Sequence, residues 1–188
     1  MRIISGSSKG KRILEPKDLN TRPLKDLTKE SIFNILAHSN KFSVNIKNSN
    51  VLDLFAGVGS FGLECLSRGS SNLTFVESYT HVLPILKKNI SNLNYQDISI
   101  IIEKNIIDNL KFNIFVKKFD IIFLDPPYKE KSLPSILNNI IKSNILSNNG
   151  IIIIHRHKKE KDKFPEKFNI LEEKTYGISK VIFGRYFK

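Results

Sequence analysis

From residue 51 onward the chain alternates short, almost unbroken apolar runs with longer segments whose apolar residues recur every three or four positions. The runs at 51–55, 73–76, 98–102, 119–124 and 150–155 predict five strands. Helices are predicted between them: one through Leu63 and Leu66, one over 80–93, a weaker one over 106–115 and one over 133–145. Strands alternating with helices at this spacing imply a parallel sheet covered on both faces. Runs of Ile and Val without polar alternation fit strands buried on both sides. The rhythm changes at the end. Residues 168–174 and 179–187 are strand-like, with Tyr176-Gly177 at the junction, and predict a hairpin that brings at least one antiparallel strand. The first fifty residues read differently. Residues 2–5 and 11–14 flank Gly6-Ser7-Ser8-Lys9-Gly10 and predict a hairpin, and 15–23 is irregular between Pro16 and Pro23. Leu27, Ile32, Phe33, Ile35 and Leu36 are expected to form the inner face of a helix ending near His38. The expectation is an α/β, doubly wound, mostly parallel seven-stranded sheet over 41–188. A small N-terminal β-hairpin and helix extension occupies 1–40.

The turn after the first strand carries the first chemistry. It reads Asp53-Leu54-Phe55-Ala56-Gly57-Val58-Gly59-Ser60-Phe61-Gly62, so Gly57, Gly59 and Gly62 satisfy G-x-G-x-x-G between a strand and a helix. Such a turn lets a nucleotide approach the main chain closely. Glu77, at the end of the second strand, can accept hydrogen bonds from two ribose hydroxyls. A dinucleotide would rest its pyrophosphate on the helix N-terminus. Asp53, just before the glycines, repels a pyrophosphate and suits a cation such as the amino group and sulfonium of S-adenosylmethionine. Charge therefore favours the methyl donor, with an NAD(P)-dependent oxidoreductase as the alternative. Phe55 and Phe61 flank the turn, where pocket lining and core packing fit equally well.

The fourth strand ends in Asp125-Pro126-Pro127-Tyr128. Two prolines fix two φ angles, and Asp125 before Pro126 is pushed to an extended conformation. This rigid corner lies at the carboxyl edge of a parallel sheet, where open α/β folds bind ligands. Its groups suit an exocyclic amine on a nucleobase. Asp125 and the Pro126 carbonyl accept the two N–H bonds, so the nitrogen aims its lone pair at a methyl group. Tyr128 stacks on the base. The chemistry is positioning and charge complementarity, and it requires an unstacked nucleotide.

Composition narrows the classes. No apolar run nears the roughly 20 residues of a membrane span, and residues 1–10 lack the apolar core of a secretory signal. A single cysteine, Cys65, excludes a disulfide scaffold or thiolate cluster and is read as buried packing, in keeping with a cytoplasmic setting. The net charge of +12 is uneven. Residues 1–50 hold ten basic and four acidic side chains, 51–150 ten and nine, and 151–188 ten and five. AT-rich coding bias accounts for Lys over Arg but not for basic ends around a balanced middle, which favours a polyanionic partner. Arg2, Arg12 and Arg22 are half of the six arginines, and with Lys9 and Lys11 they could grip phosphates. His155, Arg156 and His157 have no acid or thiol partner at ligand spacing, so no metal is expected there and a surface or basic-edge role is assigned.

With the glycine turn, Glu77 and Asp125-Pro126-Pro127-Tyr128 in order, the chain resembles the S-adenosylmethionine-dependent amino-methyltransferases. Arg2-Ile3-Ile4-Ser5-Gly6, Gly10-Lys11-Arg12, Thr21-Arg22-Pro23, Lys29-Glu30-Ser31-Ile32-Phe33-Asn34 and Tyr176-Gly177-Ile178-Ser179 are similar to the RsmD-type 16S rRNA guanine-N2 methyltransferases. The corner motif is shared with adenine and cytosine methyltransferases, so the N-terminal block selects the family. The resemblance implies a Rossmann-like methyltransferase fold and S-adenosylmethionine as cofactor. It also implies methyl transfer to N2 of a guanine in 16S rRNA, within the small ribosomal subunit, with no obligate protein partner. A DNA adenine-N6 methyltransferase is the same-class alternative, and a catalytically silent RNA-binding module a third. The resemblance further implies that Asn105 contacts the donor's adenine, that Asp125, Pro126 and Tyr128 hold the guanine, and that the hairpin touches RNA. Where many members read D-R-V-R-E, this chain has Asp26-Leu27-Thr28-Lys29-Glu30, so two arginines are replaced by Leu27 and Lys29.

Overall fold

The computed structural model describes residues 1–16, 24–107 and 111–186. Helix α1 (Asp26–His38) precedes the alternating units β1 (Asn50–Leu54), α2 (Ser60–Ser67), β2 (Asn72–Val76), α3 (Leu83–Asn92), β3 (Ser99–Ile102), β4 (Phe119–Leu124), α4 (Leu133–Ser143) and β5 (Leu146–His157). The hairpin β6 (Phe168–Tyr176) and β7 (Ser179–Tyr186) ends the described chain. The seven strands form one sheet in the order β3-β2-β1-β4-β5-β7-β6. Pairing is parallel from β3 through β5, and β7 runs antiparallel to both β5 and β6. The order reverses between β1 and β4, so a crevice opens beyond their carboxyl ends.

Alternate residues of the central strands feed opposite faces. Val51, Ile121, Phe123, Ile151 and Ile153 pack with α2, α3 and the N-terminal segment, while Leu52, Leu54, Ile122, Leu124, Ile152 and Ile154 pack with α4. Both sets are apolar, which is why the strands read as unbroken runs. The N-terminal segment shares the first of these cores through Ile3, Ile13, Leu24, Ile32 and Phe33.

Four expectations are corrected. The N-terminal hairpin is shorter than expected: Ile3 N–H to Lys11 O, Gly10 N–H to Ile3 O and Ile13 N–H to Met1 O close it around the Arg2–Arg12 bridge, while the N–H groups of Ile4, Ser5 and Leu14 turn to Glu64 and Asn89. Leu27 is 71% exposed, whereas Thr28 and Lys29 turn inward, so the inner face of α1 is rotated from the one expected. Among the described residues of 106–115 there is only a 3-10 turn, Phe112–Ile114, in a stretch rich in Asn and β-branched residues that favour helix weakly. Strand β5 begins at Leu146 rather than Gly150. Phe119 pairs with Leu146 and Ile121 with Ile151, so the polar Ser147-Asn148-Asn149-Gly150 is absorbed in a bulge. Among the described residues no helix is long and apolar enough to cross a membrane.

Candidate active site

Strand β1 delivers Asp53 and Phe55 to the crevice, and the turn that follows is shaped by its glycines. Gly59 has φ +87° at the start of α2, and a Cβ there would meet Leu86 Cδ1 at 2.7 Å. At Gly62 a Cβ would lie 2.4 Å from the Phe75 ring, so its bareness lets α2 lie close on the sheet. Phe55 also takes a left-handed φ of +62°, a strained choice for a bulky residue. Phe61 stacks on Phe123 at 4.0 Å and on Phe33 at 5.3 Å, and both Phe61 and Phe123 reach the crevice wall. Pocket lining and core packing therefore both apply to Phe61.

Two carboxylates on this side are held by backbone amides. Asp53 is 1% exposed, and its Oδ2 accepts from the Gly62 N–H at 3.0 Å. Burial pushes its carboxyl well above the usual range, and Asp125 and Glu77 push the same way against the Gly62 hydrogen bond. Glu77 accepts from Gly57 N–H on Oε2 and from Ser78 and Tyr79 N–H on Oε1, at 2.7–2.8 Å. Asn105 Oδ1 accepts from Ile107 N–H at 2.8 Å, which turns the chain after β3 toward the crevice.

The Asp125–Tyr128 corner is built differently. Asp125 Oδ1 lies 2.8 Å from Nδ1 of His155, which is 5% exposed. Arg156, 1% exposed, donates to the carbonyls of Pro127 and Glu130 and makes a bidentate pair with Asp162 at 2.9–3.2 Å. Tyr128 stands edge-on to His155 and His157, with ring centres 6.2 and 5.0 Å away. The assignment of His155 and Arg156 to a basic surface edge is thus corrected: both are buried supports of the corner. Only their position at the end of the fifth run and one residue beyond it could have placed them there. No group of three metal-ligating side chains occurs among the described residues.

A cavity of about 600 Å³ joins the two sides. Asp53, Phe55, Gly57, Glu77, Asn105, Asp125, Pro126, Pro127 and Tyr128 all line it, and so does His155. Its volume suits a small-molecule ligand. A Cβ on Gly57 would project into open space, and the glycine thus leaves room beside the main chain. Four acids at one crevice, Asp53, Glu77, Asp125 and Glu130, suit a cationic ligand. The residues present therefore fit S-adenosylmethionine. Gly59 is not on the wall and shapes the turn from behind it.

The N-terminal segment is sewn to the glycine turn and α2. Buried Glu64 accepts from Ile4 and Ser5 N–H and pairs with Arg68. Lys29, fully buried, donates to the Arg2 carbonyl and to Ser60 Oγ and lies 3.8 Å from Glu64. Burial lowers its pKa, and Glu64 and Asp26 oppose that shift. Asn89 bridges the Leu14 backbone to the Val58 carbonyl. Lys29 therefore ties down the glycine turn, whereas Leu27 points outward. Arg2, Lys9, Lys11 and Arg12 are exposed on this segment, and Arg22 lies outside the described residues.

The family described as Conserved hypothetical protein 95 matches residues 1–185. Ribosomal RNA small subunit methyltransferase D of Haemophilus influenzae is 34% identical, over 95% of this chain and 90% of its own. A solved structure from the same species, described as a methylase, is 30% identical with a TM-score of 0.77, covering 100% of this chain and 98% of that one. A protein described as a methyltransferase and solved with S-adenosylhomocysteine shares the fold, with a TM-score of 0.65 at 18% identity over 85% of this chain and 50% of that one.

Proposed function

We infer the reaction from kinship and one cavity: this chain belongs to the RsmD-type methyltransferases, with S-adenosylmethionine as its cofactor, and it methylates ribosomal RNA. The observation that carries the reading is that Glu77 and Asp125 wall one cavity, so a donor on the glycine turn and a base at the corner meet. The acceptor is the exocyclic N2 of a guanine in 16S rRNA, as the N-terminal block favours over adenine. The NAD(P) reading is set aside by the family.

Bound there, S-adenosylmethionine supplies a methyl group on a sulfonium, which leaves as a neutral thioether once an amine takes the methyl. Glu77, held by three amides, presents its oxygens to the ribose without a search over rotamers. Phe55, Gly57 and Asn105 line the donor's place, and Asp53 puts a carboxylate beneath its cationic end. At the corner Asp125 Oδ1 faces His155, which leaves Oδ2 to accept from the amine. Tyr128 sets the plane of the base. After transfer the nitrogen holds one proton too many, and Asp125 is the base at hand to take it. Residues 1–40 form an RNA-contacting extension pinned to the methyltransferase domain at 41–188, and Arg2, Lys9, Lys11, Arg12 and Arg22 meet phosphates. Among the described residues no target-recognition domain is inserted, and we assign specificity to the folded RNA or the assembled small subunit in the cytoplasm.

Tritiated methyl transfer to undermethylated small subunits, naked rRNA and duplex DNA tests this, with digestion to nucleosides. The expected product is N2-methylguanosine from the particle. Methyladenine in the DNA arm overturns the acceptor.

A further inference from the structure

We propose that His155 is the positioning residue of methyl transfer: its imidazole fixes the Asp125 carboxylate and backs Tyr128, so that both groups meeting the base rest on it. The inference rests on the reading of Asp125 given above.

Sheet register brings the pair together. Leu124 pairs with Ile154 in parallel, so Asp125, just past the end of β4, lies beside His155, which continues in β5 against Val181 of β7. The Nδ1 to Oδ1 separation of 2.8 Å is that of a strong hydrogen bond to a carboxylate. An ionised carboxylate only accepts, so a proton belongs on Nδ1. Nε2 is buried and has no hydrogen-bond partner among the described residues.

The arrangement is poor as packing and good as alignment. His155 follows Ile151, Ile152, Ile153 and Ile154, all at most 1% exposed, where a leucine would fill space without an orphan nitrogen. What the imidazole supplies is restraint. Pro126 limits the Asp125 backbone, and the Nδ1–H bond stops rotation of the carboxylate. Oδ2 is then the single oxygen offered to the amine. Tyr128, edge-on to His155 and His157, is confined in turn. An amine whose lone pair is delocalised into its ring reacts only when well aimed, and a misplacement of about 1 Å can cost about a hundredfold.

The test compares two amides. His155→Asn keeps an N–H where Nδ1 stood, whereas His155→Gln places its amide farther out. Single-turnover methylation of small subunits is expected to stay within about threefold of wild type for H155N and to fall at least about tenfold for H155Q. The loss should sit in kcat, with KM for the particle and affinity for S-adenosylhomocysteine within about twofold. Equal rates for the two variants, or an H155Q rate like wild type, overturn the proposal. Asp125→Ala separates the underlying reading. A dead D125A beside a normal H155Q sinks only the role of His155, whereas an active D125A sinks both. A readout free of RNA is the imidazole 15N spectrum of the protein bound to S-adenosylhomocysteine. His155 should be protonated at Nδ1, and a proton on Nε2 in its place overturns the assignment.

Discussion

On the glycine-turn side of the cavity, where the donor is proposed to sit, the carboxylates are held by backbone amides; on the proposed base side they are held by side chains from another strand. Glu77 takes its three N–H bonds from Gly57, Ser78 and Tyr79, and Asp53 takes one from Gly62. Asp125 and the prolines lean on His155 and Arg156, thirty residues on, and Arg156 leans on Asp162. Main-chain amides survive almost any substitution nearby. Side-chain supports are lost one residue at a time. The donor wall is therefore robust to change, and the base wall is a chain of buried polar contacts that fails as a unit.

The largest expected effect exploits that difference. Arg156→Ala leaves the Asp162 carboxylate, 7% exposed, without its bidentate partner and removes the donors to the Pro127 and Glu130 carbonyls. Breaking a buried ion pair by removing one partner costs about 3–5 kcal/mol. For a chain of this size that lowers Tm by on the order of 10 °C. Arg156→Lys should recover only part, because a point charge cannot serve the carbonyls and the carboxylate together. Calorimetry decides it: an unchanged Tm in R156A means the corner stands without its arginine.

The same difference explains what was legible in the sequence. Asp53, the glycines and Glu77 form a local pattern between a strand and a helix, and their contacts follow from it. The two-sided burial of β1, β4 and β5 was equally readable from unbroken apolar runs. His155-Arg156-His157 was not, because a charged triplet after a strand looks like an exposed edge until the neighbouring strand is known. Sheet order, not local pattern, buries His155 beside Asp125 and Arg156 against the Pro127 carbonyl. Lys29 escaped for the same reason: Glu64 and Ser60 lie on α2 and the Arg2 carbonyl in the N-terminal segment, all distant from it in sequence. Leu27 misled in the other direction, since a leucine in a helical pattern need not face the core.

A smaller effect isolates the donor wall. Glu77→Ala removes the acceptor for the ribose and frees the Gly57, Ser78 and Tyr79 amides to bond water. Affinity for S-adenosylhomocysteine should fall about tenfold, roughly 1.4 kcal/mol. Binding of small subunits should not change, because no base-side contact passes through Glu77. Calorimetric titration showing wild-type affinity removes Glu77 from the site, and a parallel loss of particle binding means the walls are not independent.

The smallest effect lies at Asp53, where the donor wall has its one fully buried acid, and it turns on the sign of a pH dependence. Burial raises the folded-state pKa above the value of about 3.9 in the unfolded chain. Between those values the folded protein binds more protons than the unfolded one, so stability falls as pH rises through that window and then levels. Asp53→Asn keeps an acceptor for Gly62 N–H but cannot ionise. Denaturation of the protein without donor should therefore show wild type losing stability relative to D53N as pH climbs from about 4, with no further divergence once Asp53 is ionised. The cost of that ionised carboxylate is recovered when a cation sits above it. S-adenosylmethionine, with its sulfonium, should consequently lose about threefold more affinity in D53N than neutral-sulfur S-adenosylhomocysteine does. Equal losses for the two ligands would mean that Asp53 serves the turn through Gly62 alone and never meets the sulfonium's charge.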